Sequence, residues 1–270
     1  MICFRKMRLL IVLALALWPL AAAARPFAWP AGRQAAIALT YDDALQSDLD
    51  VAIPQLNEAG FRGTFFLKAD NVFPRDIERW RAASRAGHEL GNHSVNHPCP
   101  RAMLPGRDHY ATESYDAQIM LSEIRVDNAL LAAIDGDRRR TYSYPCSQTL
   151  VGGRDYIPAL RASCLIRYAR NGGDPWRSIV TDTVGLDLLD VPSWGPVDHP
   201  DGPALIAYVE RVRASGGFGV LQFHGVGGDY LDVSAEAHRQ LLAYLRAHPE
   251  IWVVRFQDLM DHVAVQARQP

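Results

Sequence analysis

The feature that most constrains this chain is a sustained alternation: short apolar runs are followed by segments whose apolar residues recur at helical spacing. Ala35 to Tyr41 is an apolar run that ends in Asp42-Asp43, after which Leu49, Ile53 and Leu56 recur at helical intervals until Gly60 stops the pattern. Gly63–Leu67, Glu89–Asn92, Thr141–Tyr144, Leu165–Ala169, Leu188–Val191, Gly219–Phe223 and Ile251–Val254 read as further strands. Between or after them, 74–86, 110–134, 234–246 and a last segment from Gln257 read as helices, the third with Ser234 as its N-cap. Strands that return only after a helix must pair in parallel, because the return path needs a crossover. Seven or eight such units predict an α/β fold, a distorted (β/α)7–8 barrel, rather than an open sheet.

The 270 residues are 49% hydrophobic and 21% charged, enough for one substantial core and unlike disordered or fibrous chains. A net charge of −2 offers no basic stripe for nucleic acid. The start of the chain is set apart. Arg5, Lys6 and Arg8 precede an apolar run, Leu9 to Leu20, and four alanines then lead into Arg25-Pro26, which is the order of a secretory signal cut near Ala24. The run falls short of the roughly 20 residues needed to span a bilayer. The expected mature chain, 25–270, is a single domain that carries 25 cations against 30 anions, is secreted or periplasmic, and has no stable membrane span.

In barrels of parallel strands, chemistry gathers where the C-terminal strand ends deliver their loops. The polar residues just after the strand candidates are Asp42 and Asp43, His93 and His97, Cys146 and Ser147, Asp190 and Trp194, and His224. His93 and His97, four apart, can point the same way on a helical turn and grip one divalent ion, although such a pair is more often a surface accident. Adjacent aspartates diverge with the alternation of a strand, so one can ligate while the other acts as a base. The plainer reading of Asp-Asp is a turn or helix cap, and His224 reads equally as a core histidine. Loss of the signal leaves Cys99, Cys146 and Cys164. Cys99 and Cys146 each follow a proline beside these motifs, so a shared site would bring their sulfurs within bonding reach, while Cys164 reads as a buried small hydrophobe.

Thr40-Tyr41-Asp42-Asp43, His93-Ser94-Val95-Asn96-His97 and Leu221-Gln222-Phe223-His224, in this order, resemble the polysaccharide deacetylases of carbohydrate esterase family 4, the NodB-homology fold. The resemblance implies Asp42 as general base, His224 as general acid, and Asp43, His93 and His97 as ligands of a divalent metal, zinc before cobalt, nickel or iron. It implies Leu221 against the acetyl methyl and the Cys146 backbone N–H as oxyanion donor. Two motifs depart from the family pattern. Ser143 stands where an arginine orients the base, making Arg170 the candidate replacement, and Asp190-Val191-Pro192-Ser193-Trp194 offers an acid to orient Arg170 or His224 and an aromatic face for a sugar. The implied activity is hydrolysis of N-acetyl or O-acetyl groups on a glycan or cell-wall polysaccharide. Hydrolysis of a small cyclic amide, or glycan binding without turnover, are the competing readings.

Overall fold

A computed structural model describes residues 26–268 except 73–75, 104–105 and 107. The expected signal segment, 1–24, lies outside the described residues. A nine-stranded sheet contains β1 (Ala35–Asp42), β2 (Thr64–Leu67), β3 (Glu89–Asn92), β4 (Thr141–Ser143), β5 (Tyr168–Asn171), β6 (Ile179–Val180), β7 (Val191–Pro192), β8 (Phe218–Phe223) and β9 (Ile251–Val254). The spatial order is β6-β8-β1-β2-β3-β4-β5-β7, with β9 also paired to β1. Every pairing is parallel except that of β6 with β8. Closure comes from Trp194, just past β7, which bridges to Leu221 of β8; its N–H donates to Val220 O at 2.9 Å and its carbonyl accepts from Gln222 N–H at 2.8 Å. The result is the expected α/β barrel, nearly closed, with helices outside.

All eight residues of β1 are buried because the strand has packing on both faces. On one face Ile37, Leu39 and Tyr41 pack in a cluster with Leu205, Tyr208 and Val209 of α5 (Gly202–Ser215) and Leu241, Leu242 and Leu245 of α6 (Ala235–Ala247). On the other, Ala36 and Ala38 join Phe66, Phe218, Val220 and the apolar stripe Phe256, Leu259, Met260 and Val263 of the last helix, α7 (Phe256–Ala267). Between β1 and β8 the other helices longer than one turn come in order: α1 (Ile53–Ala59), α2 (Ile77–Arg85), α3 (Ala117–Asp135) and α4 (Ile157–Ser163).

Three local features differ from the expectation. The helix expected over 110–134 starts only at Ala117, where the Asp116 side chain accepts from Ile119 N–H, and short 3-10 turns occupy the residues before it. Helix α5 is not among the expected helices, although its start signal stands in Asp201-Gly202-Pro203: Asp201 caps Ala204 N–H and proline sits in the first turn. Cys164 is exposed rather than buried, because it ends α4 in a left-handed conformation, φ 54°.

Candidate active site

Asp42 closes β1 and Asp43 begins the next turn. Strict alternation would send their side chains apart, but Asp43 leaves the strand with φ 76°, which turns its carboxylate back into the cavity that Asp42 faces. Phe66 O accepts from the Asp43 N–H at 3.1 Å and Asn71 donates to the Asp43 carbonyl at 2.8 Å, holding that turn.

His93 and His97 are not on a helix as expected. They sit on a bend in which Ser94 (φ 65°) and His97 (φ 52°) are left-handed, and their Nε2 atoms still converge to 3.1 Å. The bend is held by groups the sequence reading did not single out. Asp127 of α3 accepts from His93 N–H at 3.3 Å, and Glu123 accepts from the backbone and side-chain N–H groups of Asn96 at 3.0 and 2.9 Å. His93 Nδ1 donates to Ser143 O at 2.8 Å, which leaves the Nε2 lone pair for a ligand.

Asp43 Oδ1 lies 3.5 Å from His93 Nε2 and 3.4 Å from His97 Nε2, and no hydrogen bond reaches it. A buried carboxylate oxygen without a partner, facing two imidazole lone pairs, has the donor set and spacing of a divalent cation site. Burial opposes ionisation of Asp43, yet His97, His93, His224 and the Tyr230 hydroxyl together hold its carboxyl well below the usual range. The other oxygen, Oδ2, accepts from Tyr230 at 2.5 Å.

Asp42 is held differently. Arg170, 1% exposed and stacked over Phe66 at 4.7 Å, donates to Oδ1, while Oδ2 accepts from Gln222 at 3.1 Å and Ser143 at 3.3 Å. Burial would raise its pKa, but Arg170, His93 and His224 overcome that and lower it. The guanidinium at β5 thus stands against the carboxylate that the serine in the third motif leaves without an arginine. His224 follows β8 with Nε2 4.0 Å from Asp43 Oδ2; burial dominates there and lowers its pKa despite the two aspartates.

Asp42, Asp43, His93, His97, Gln222, His224 and Tyr230 line a cavity of about 350 Å³ together with Cys146 and Ser147. Cys146 is left-handed (φ 51°) and joined by a disulfide to Cys99, Cα–Cα 5.5 Å, which ties the segment after His97 to the turn after β4. Among the described residues, the Cys146 N–H donates to none.

Three expected site residues lie elsewhere. Leu221 is fully buried against the outer helices, because alternation along β8 turns Gln222, two before His224, into the cavity instead. Trp194 packs on Tyr208 at 4.9 Å, closes the barrel and is not among the residues that line the cavity. Asp190 is exposed and accepts from Asn171 at 2.9 Å, reaching neither Arg170 nor His224. The resemblance points to Leu221, whereas strand parity counted back from His224 points to Gln222.

Residues 30–156 match the family described as polysaccharide deacetylase, a stretch that contains Asp42, Asp43, His93, His97 and Cys146. The resemblance read from the motifs is thereby borne out. The fold is similar to that of a Mycobacterium smegmatis protein assigned to the polysaccharide deacetylases, with 19% identity, TM-score 0.64, and 92% and 96% of the two chains covered. It is similar also to the Bacillus subtilis peptidoglycan deacetylase PdaC (18%, TM-score 0.56, 86% and 93%) and to a CE4 family pseudoenzyme of Bacillus anthracis (17%, TM-score 0.53, 84% and 66%). A Bacillus gellan lyase is 29% identical over 131 residues, 48% of this chain but 5% of that protein.

Proposed function

Starting from this relationship to the polysaccharide deacetylases, we propose that the chain is a divalent-metal-dependent hydrolase that removes acetyl groups, N-acetyl before O-acetyl, from a glycan. The observation that carries the reading is the split between the two aspartates: Asp43 keeps one oxygen free beside two imidazoles, while Asp42 is ion-paired to Arg170. Asp43, His93 and His97 would hold the ion, zinc before cobalt, nickel or iron. When bound, it supplies Lewis-acid polarisation of the amide carbonyl and acidifies water.

The residues of the chain do the rest. Asp42, kept ionised by Arg170, accepts the proton of the attacking water. The Cys146 N–H, whose placement the disulfide restrains, donates to the developing oxyanion. His224 protonates the leaving amine, and the lowered pKa of its imidazole makes its charged form a ready donor. The N-terminal order of cations, apolar run and alanines supports export, which would put the enzyme beside cell-wall and exopolysaccharide substrates. Among the described residues, no helix is long and apolar enough to cross a membrane.

Acetate release is the test, with zinc-loaded protein on chitooligosaccharides, peptidoglycan fragments, poly-N-acetylglucosamine and acetylxylan. Release from one of them, absent in Asp42→Asn, is expected. Turnover of a cyclic imide but no glycan would replace this reading with small-amide hydrolysis, and glycan binding without any turnover would replace it with a binding module.

A further inference from the structure

The turn between β8 and α6 is built to present one side chain. Asp229 (φ 63°) and Leu231 (φ 49°) are both left-handed without being glycine, one on each side of Tyr230. The strained pair is fixed from several directions. Gly225 N–H donates to Tyr230 O at 3.1 Å, Val233 N–H to Gly225 O at 3.0 Å, and Asp229 Oδ2 accepts from Ser47 N–H at 2.7 Å. The loop closes so tightly that a Cβ on Gly225 would sit 2.0 Å from Gly228 O, so only glycine fits there. Strain held on both sides of one residue by its surroundings marks that residue's position as the point of the turn.

We infer that Tyr230 is a positioning residue for the metal site: its hydroxyl occupies Asp43 Oδ2, and so dedicates Oδ1 to the ion. The inference rests on the metal-site reading above. The geometry makes the division of labour plain. Tyr230 donates to Oδ2 at 2.5 Å, whereas Oδ1 faces His93 and His97 and has no other partner. With the hydroxyl in place the carboxylate cannot rotate about its last bond to exchange the two oxygens. Oδ2 is also the oxygen nearest His224, 4.0 Å away, so the same hydrogen bond keeps Asp43 from turning toward the expected proton donor. Groups that orient a ligand from behind set affinity as well as angle, typically by about 10- to 100-fold.

The test is zinc affinity of the full chain, measured by competition with a chromophoric chelator and no substrate. Tyr230 is 47% exposed, so Tyr230→Phe keeps the ring without opening a core cavity, and the metal-free variant is expected to unfold at the wild-type midpoint. Its zinc affinity should fall about 10- to 100-fold. His199→Ala, which cuts the tie from His199 to Asp232 on the same turn and leaves the hydroxyl alone, should bind zinc as wild type does. Wild-type affinity in Tyr230→Phe overturns the inference, as does an equal loss in His199→Ala, which would assign the effect to the turn. A wild-type chain that binds no zinc overturns both this inference and the metal reading. Zinc affinity that falls as expected in a protein releasing no acetate upholds Tyr230 while rejecting only the deacetylase.

Discussion

The two ends of the barrel each bury an arginine against a carboxylate, and they use it differently. At the N-terminal end, Arg140 grips both oxygens of Asp135 and also donates to the carbonyls of Leu90 and Asp137, while Glu89 nearby accepts from Thr64, Thr141 and Gln257 N–H. Each of those carboxylate oxygens has a donor. At the C-terminal end, Arg170 holds one oxygen of Asp42, and the neighbouring Asp43 keeps an oxygen with none. The contrast extends to protonation. Burial pushes Glu89 up against the hydrogen bonds from Thr141, Gln257 and Thr64 and the charge of Arg255, whereas Arg170 and two histidines drive the equally buried Asp42 down. Burial alone therefore does not decide the charge of a carboxylate here. A cation in direct contact does, and the carboxylate oxygen left without a donor lies at the end proposed to carry the chemistry.

The sharpest way to break this comparison is to strip the metal. Prolonged chelation should abolish acetate release, and added zinc should restore it, whereas the N-terminal network should keep the metal-free chain folded by circular dichroism. Next, the two arginines can be exchanged for methionine in separate variants. Arg170→Met should lower kcat by about 100-fold, because the base loses the cation that keeps it ionised. Arg140→Met should cost about 3–5 kcal/mol in denaturant unfolding, from the uncompensated charge on Asp135, with kcat of the folded fraction unchanged.

A third, smaller effect lies in pH. His88, at the N-terminal end, is pushed down to about 4 by burial and by Arg62. Its folded pKa is below the unfolded value, so the unfolded chain binds the proton first, and stability is full above about pH 6.5 and lost as pH falls toward 4. The metal-free chain should lose about 3 kcal/mol through this group over that window, and His88→Asn should flatten the slope in urea unfolding at pH 7 and pH 5. The smallest effect is expected from Ser143→Ala: its hydrogen bond to Asp42 spans 3.3 Å and Arg170 carries the charge, so kcat should fall only about 3-fold.

Much of this was legible in the sequence where one rule acts alone. β1, β2 and β9 are short apolar runs, and the runs match the strands to within a residue. Asp42, Asp43, His93, His97 and His224 were legible because strand ends deliver them to one rim. Arg170 was reachable because a base without its arginine needs another cation. What failed depends on packing between distant segments. Trp194 reads equally as a sugar platform and as a packing residue, and only barrel closure with β8 decides for packing. Leu221 was carried over by resemblance, while alternation counted back from His224 gives Gln222. The bend at His93–His97 replaced a helical turn because Glu123 and Asp127, about 30 residues later, hold its backbone. Neither a periodicity nor a motif records such a contact.

The most direct measurement of the central claim compares Asp42→Asn with Asp43→Asn, reading zinc affinity and acetate release on the same samples. The division of labour described here predicts that Asp42→Asn binds zinc as wild type does and loses activity about 1000-fold, while Asp43→Asn loses the zinc itself. The reverse pattern, zinc lost with Asp42 and retained without Asp43, would contradict it.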